Sequence, residues 1–310
     1  MHAVRRQLRR DGIGGPGGGS RATIGALGAF ILLGAIPNAA RADWTLGAQA
    51  GVKHDDNVGN AQSRSDIVGD SAIDARLSTF QLYPLDEGYS VSVGGDVSGE
   101  AYRRLTGLNE VSLDGMVALK KKWGLGAFAP WVRGGLSLGR SSYEDSYRNS
   151  WDYRATLASG RRIDERWNVW VDYAFERRAA SPQMEEVPGL SGDAFSQSSQ
   201  NAGAHVEFSL NENTFLAIGV LGRHGDVVST GAGSARIYDA SRALAEDPAF
   251  GPEAYAYRLT GTTYGFQLGI SYAATAHSVI GCGFKHFDTH ADGGNNYIKS
   301  VAEITWSYHL

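Results

Sequence analysis

The chain of 310 residues has a single cysteine, Cys282, which excludes an internal disulfide and leaves that position as a small side chain on a strand. Beyond the first 42 residues, no apolar run reaches the roughly 18 residues that a membrane-crossing helix needs. Positive charge is scarce as well: 29 Lys and Arg stand against 33 Asp and Glu. Arg5, Arg6, Arg9, Arg10, Arg21 and Arg41 all fall within residues 1–42, so the remainder is more acidic than the formal charge of −4 indicates. That balance argues against nucleic acid as a partner, because proteins that bind it carry basic surfaces. There is no glycine-rich phosphate loop and no Cys/His zinc spacing.

What is present begins with a leader. Arginines precede an apolar, Gly/Ala/Leu-rich run from Thr23 to Pro37, and Ala40-Arg41-Ala42 forms an A-x-A cleavage site. Residues 1–42 therefore read as a secretory signal peptide, with residues 43–310 as the exported domain.

That domain alternates with a period of two. Trp44, Leu46, Ala48, Ala50 and Val52 alternate with Thr45, Gly47, Gln49, Gly51 and Lys53. Similar segments follow at 72–82, 89–101, 111–120, 127–139, 151–157, 169–176, 202–210, 216–220, 264–272, 278–287 and 297–310. Such alternation puts one strand face against an apolar medium and the other against water. Twelve segments, each close to the roughly 9–11 residues that cross a bilayer as a strand, point to an all-β fold. The expected form is an up-and-down antiparallel transmembrane β-barrel. A soluble β-sandwich is the alternative, although its exposed faces would carry more Lys and Glu. Connections at about 83–88, 121–126, 161–166, 211–214 and 273–277 are short, as periplasmic turns are. Those at about 54–71, 102–109, 140–149, 177–199, 224–257 and 288–296 are mostly longer, as extracellular loops are.

The final segment carries a resemblance. Ala302, Ile304, Trp306, Tyr308 and Leu310 alternate with Glu303, Thr305, Ser307 and His309. This resembles the closing strand of Gram-negative outer-membrane β-barrel proteins, whose alternating aromatic signal is read by the barrel-assembly machinery. Leu310 stands where those proteins usually end in Phe. The resemblance implies an assembly signal at Ile304, Trp306, Tyr308 and Leu310 and a location in the outer membrane, among lipid and lipopolysaccharide. Asp55-Asp56-Asn57-Val58 also resembles the first strand of barrels in surface-lipoprotein assembly modifiers and related export barrels.

Candidate functional residues follow from the polar face. Glu100, Asp114, Arg133, Arg154, Asp172, Glu176, His205, Glu207, Arg223 and Glu303 are expected to face the lumen. With both signs present they form either a mutually neutralising network or a constriction that selects solutes. His54, Asp55 and Asp56 at the top of the first strand should lie near His286 and Asp288 if the first and last strands pair. These residue types suit a divalent cation at the extracellular rim, with solvated loop tips as the ordinary alternative. In the loop 224–257, Asp239 is a good N-cap, the residues after it favour helix, and Pro248 stops it. Outer-membrane phospholipases carry a His-x-Ser motif, and no histidine here is followed two places on by serine. The function expected is a narrow passive channel for small hydrophilic solutes, not an enzyme. A structural or export-assisting barrel with a closed lumen and a lipid-modifying enzyme are the alternatives.

Overall fold

The computed structural model describes residues 44–186, 188–232 and 235–310. The expected signal peptide lies outside the described residues. The strands are β1 (Thr45–Asp55), β2 (Asp70–Pro84), β3 (Tyr89–Tyr102), β4 (Glu110–Lys122), β5 (Trp131–Tyr143), β6 (Ser150–Arg162) and β7 (Trp167–Ala180). They continue as β8 (Gln197–Ser209), β9 (Thr214–Gly231), a short β10 (Ala243–Glu246), β11 (Tyr255–Ala273), β12 (Ser278–Ala291) and β13 (Asn295–His309). Apart from β10, each strand pairs antiparallel with its neighbours in chain order, with β9 meeting β11 directly. The wall closes where β1 pairs with β13, from Gly47 opposite His309 to Asp55 opposite Val301. The result is a closed barrel of twelve strands, as the alternation predicts. Closure matters because hydrocarbon offers no partner to an unpaired amide, so a spanning sheet has to bond every edge to itself.

The two faces of the wall differ as the period of two demands. Along β4, Val111 and Leu113 are each 62% exposed on the outside, while Ser112 between them is 1% exposed. Leu77, Val97, Leu136, Val171, Ile218, Ile270 and Ile304 continue the outer apolar belt. Trp151, Tyr153 and Tyr264 rim it near the long loops, and Tyr89, Trp167 and Tyr272 rim it near the short turns. Aromatic rings prefer the boundary between hydrocarbon and headgroups. Cys282 is exposed on the outer face of β12.

Four details differ from the sequence expectation. The fifth strand runs four residues later than 127–139, because Gly124 and Gly126 adopt left-handed conformations and residues 123–130 turn before the wall resumes at Trp131. The last hairpin needs only residues 292–294, so Asp288 and His290 belong to β12. The loop expected at 224–257 is 232–254, since β9 and β11 pair as far as Gly231 and Tyr255. Within it the helix is α1, Ala235–Ala240, ahead of the expected position, and residues 243–246 are a strand. The cause is tertiary. β12 ends opposite Gly261, so the earlier residues of β11 would have a bare edge, and β10 supplies it by pairing Ala243 with Arg258 and Glu246 with Tyr255.

The closing strand yields a prediction. Ile304 faces outward, opposite Val52 of β1 and Cys282 of β12, inside the apolar belt, whereas Trp306 lies at the short-turn rim level with Tyr272. A positive charge at the bilayer midplane costs about 2–4 kcal/mol on such a face. Ile304→Arg should lose the folded form, seen as the heat-modifiable band on unboiled gels, and so should deletion of residues 308–310. Normal heat-modifiability in both variants would contradict the placement of β13.

Candidate functional site

The interior is lined by charge. All ten residues expected in the lumen lie on the inward face of their strands, because each shares parity with a buried or ion-paired neighbour. On the wall from β12 through β1 to β4, Lys285 lies 3.3 Å from Glu303 and Lys53 lies 2.7 Å from Glu100. Arg76 lies 3.4 Å from Asp96, and Asp74 sits among Lys53, Arg76, Glu100 and Glu303. On the wall from β6 to β9, Arg154 lies 3.3 Å from Glu176, its direct cross-strand partner. His205 bonds Asp172 at 2.6 Å and Gln267 at 3.0 Å, and its ring stacks on Trp170 at 4.9 Å. Gly219 makes room for that ring, since a Cβ there would lie 2.8 Å from Nδ1 of His205. Arg223 donates to the carbonyl of Asp226, and Glu207 lies near Arg162.

Like charges also face one another across adjacent strands. Asp96 and Asp114 stand directly opposite one another on β3 and β4, and like charges so placed repel. Lys120 and Arg133 do the same on β4 and β5, nearer the short turns. Arg76 partners Asp96 and Lys120 lies over the Trp131 ring, and water in the lumen would screen the repulsion that remains. Lys53, Asp74, Arg76, Lys285 and Lys299 complete the lumen but were not among the expected residues. Their signal was parity alone, and β2 and β12 alternate less regularly than the other strands.

The long-loop end is covered. Asp247, fully buried, pairs with the Arg148 guanidinium, with Nε to Oδ1 at 3.3 Å, and accepts from Thr230 Oγ1 at 2.7 Å. Arg148, between β5 and β6, also lies over the rings of Phe195 and Phe250. Phe250 packs with Val58 and Val68 against Tyr102, Leu105 and Leu108. Gly107 lets the loop pass, because a Cβ there would lie 2.8 Å from that of Ala249. From the first loop, Asn60 donates to the carbonyl of Val228, and the amide of Thr230 donates to that of Gly59. Connections from five hairpins thus meet over the mouth, joined through residues 247–250. Burial there pushes the Asp145 carboxyl up.

The proposed cation ligands are split by the wall. Asp55 faces inward and pairs with Lys299 at 2.7 Å. His54, His286 and Asp288 alternate onto the outer face, where His54 bonds Ser71 and His286 bonds Ser300. Asp56 accepts from the amide of Ser300 at 2.7 Å. Among the described residues, no group of three or more His, Cys, Asp or Glu side chains comes together as a metal would require. The seam between β1 and β13 does bring these segments close, but a two-residue period sends Asp55 to one side and its neighbours to the other.

No protein-family model matches the chain, and no curated protein matches it. Solved structures do match. An outer membrane channel from Pseudomonas putida F1 is 13% identical with a TM-score of 0.56, covering 88% of this chain and 97% of that one. The NanC porin is also 13% identical, with a TM-score of 0.46, covering 86% and 100%. At such identity the likeness is one of fold. The chain is a closed, antiparallel, twelve-stranded barrel that shares its fold with that outer membrane channel.

Proposed function

We propose that the protein is a narrow passive channel for small hydrophilic solutes in the outer membrane, with its long loops on the cell surface. The observation that supports this best is the lumen. A wall that is apolar outside encloses charged side chains of both signs, including the like-charged pairs Asp96/Asp114 and Lys120/Arg133. Such rings and rows of charge set which solutes pass. The chain needs no catalytic chemistry in this reading: the described partners of His205 are a carboxylate and an amide, with no nucleophile among them. Export by the leader at residues 1–42 and recognition of Ile304, Trp306, Tyr308 and Leu310 by the assembly machinery belong to the same proposal.

The cover favours one refinement and one rival. In the refinement, residues 232–254 control access to the lumen, because Asp247 and Phe250 join the other loops across the mouth. In the rival, the cover is permanent and the barrel is structural or assists export. Planar-bilayer recording separates them: steady current supports the channel, and silence from a folded, heat-modifiable protein supports the rival.

Two variants sharpen this. Removing one partner of a buried ion pair costs about 3–5 kcal/mol, so Asp247→Ala with Phe250→Ala should free the cover while the wall stays intact. Mean conductance should then rise, and unchanged conductance would place the cover outside the path. Asp96→Asn with Asp114→Asn should move the zero-current potential toward anion selectivity. A charge acts on an ion 4 Å away through water with about 1 kcal/mol, enough to alter a permeability ratio several-fold. An unmoved potential would show that ions do not pass these carboxylates.

A further inference from the structure

We infer that the outer face of β5, β6 and β7 binds a phosphorylated, acylated lipid of the surrounding leaflet, with Arg140 and Arg177 as its anion site. The two arginines flank β6 with an offset of two residues. Arg140 pairs directly with Trp151 of β6, and Arg177 pairs directly with Tyr153, two residues further along the same face. All four alternate outward, opposite in parity to the inward Ser141, Asp152 and Glu176. With strands about 4.8 Å apart and a rise of about 3.3 Å per residue, the two arginine Cα atoms lie about 12 Å apart, flanking the aromatic pair. Two long side chains from those positions reach a common headgroup.

Their setting selects an anion. Among the described residues, neither arginine has a carboxylate partner; the contact of Arg140 is the Trp151 ring, 5.5 Å from the guanidinium carbon. The remainder of the outer rim is different. Just beyond β1 and on β12, Asp56 and Asp288 accompany the outward histidines, and on β9 Asp226 pairs with Arg242. Arg103, exposed beyond the end of β3, also lacks an ion pair among the described residues, but it stands alone, whereas β5–β7 present two such arginines on one face. This pair stands at the aromatic rim, where headgroups lie. Directly below, Leu138, Leu157, Tyr173 and Phe175 offer an exposed apolar surface. A phosphate held by guanidinium groups, with acyl chains laid along this surface, satisfies both halves of the patch.

The inference rests on the membrane orientation proposed above and is independent of conduction. It is tested on the folded protein in neutral detergent by native mass spectrometry, with bisphosphorylated lipid A as the probe and heat-modifiability as the check on the barrel. The wild type should retain the lipid. Arg140→Gln with Arg177→Gln should lower its affinity about tenfold or more, as the loss of charge-assisted contacts implies. Arg161→Gln, on the outer face of β6 at the opposite end, should change nothing. The dephosphorylated glycolipid should bind the wild type no better than lipid A binds the double variant, and millimolar inorganic phosphate should not displace lipid A. Equal retention by the wild type and the folded double variant would overturn the site. So would an equal loss in Arg161→Gln, or displacement by phosphate alone.

Discussion

A sheet in hydrocarbon has no water to bond its edge amides, and the pairing of β1 with β13 answers that constraint. Everything else in the molecule is arranged around it. Because the wall closes, the face that turns inward is sealed from lipid, and charges placed there meet water and one another. Because the wall closes, the loops at one end also surround a single mouth and can bond across it. The inward carboxylates and ammonium groups would be ruinous on the outer face, where a two-residue period instead places Leu, Val and Ile.

The lumen combines two kinds of charge. Lys53–Glu100 and Lys285–Glu303 are ion pairs whose lysines are nearly buried, and such pairs contribute little net stability once desolvation is subtracted. Their cost is tolerable because each partner compensates the other. Asp96 opposite Asp114 and Lys120 opposite Arg133 bring like charges side by side, a local cost that the Arg76–Asp96 pair and the Lys120–Trp131 contact offset in part. Like charges set on one inward face depart from local consistency, and such departures tend to mark function. That is the physical reason for preferring a conducting lumen to a merely filled one.

The cover has the opposite character. Asn57 is fully buried yet satisfied, accepting from the amide of Ala61 and donating to the carbonyls of Ala61 and Ile298. Asp70 accepts from the amides of Ser71, Arg104 and Leu105, which ties the second loop to the barrel rim. Loops held this way are ordered parts of the structure rather than passive surface, and movement of residues 232–254 has to break the Arg148–Asp247 pair first.

Much of this was legible beforehand, because an amphipathic strand has to alternate whatever its partners are. The twelve segments, the outward and inward faces, the ten lumen residues and the alternation of short and long connections all follow from that period. Local sequence failed where a partner distant along the chain decided the outcome. Residues 243–246 read as helix, but the bare edge of β11 made them a strand. Asp55 reads as a ligand beside His54, but adjacent strand residues face opposite sides, and Lys299, far along the chain, took the carboxylate. The meeting of Arg148, Asp247 and Phe250 over the mouth had no local signal at all. The sequence by itself determined that strands with one wet and one dry face would form a closed wall, because hydrophobic periodicity is a local property. Which charges pair across the lumen, and which loops join over it, was decided only by closure, which sets the neighbours of each residue across the barrel.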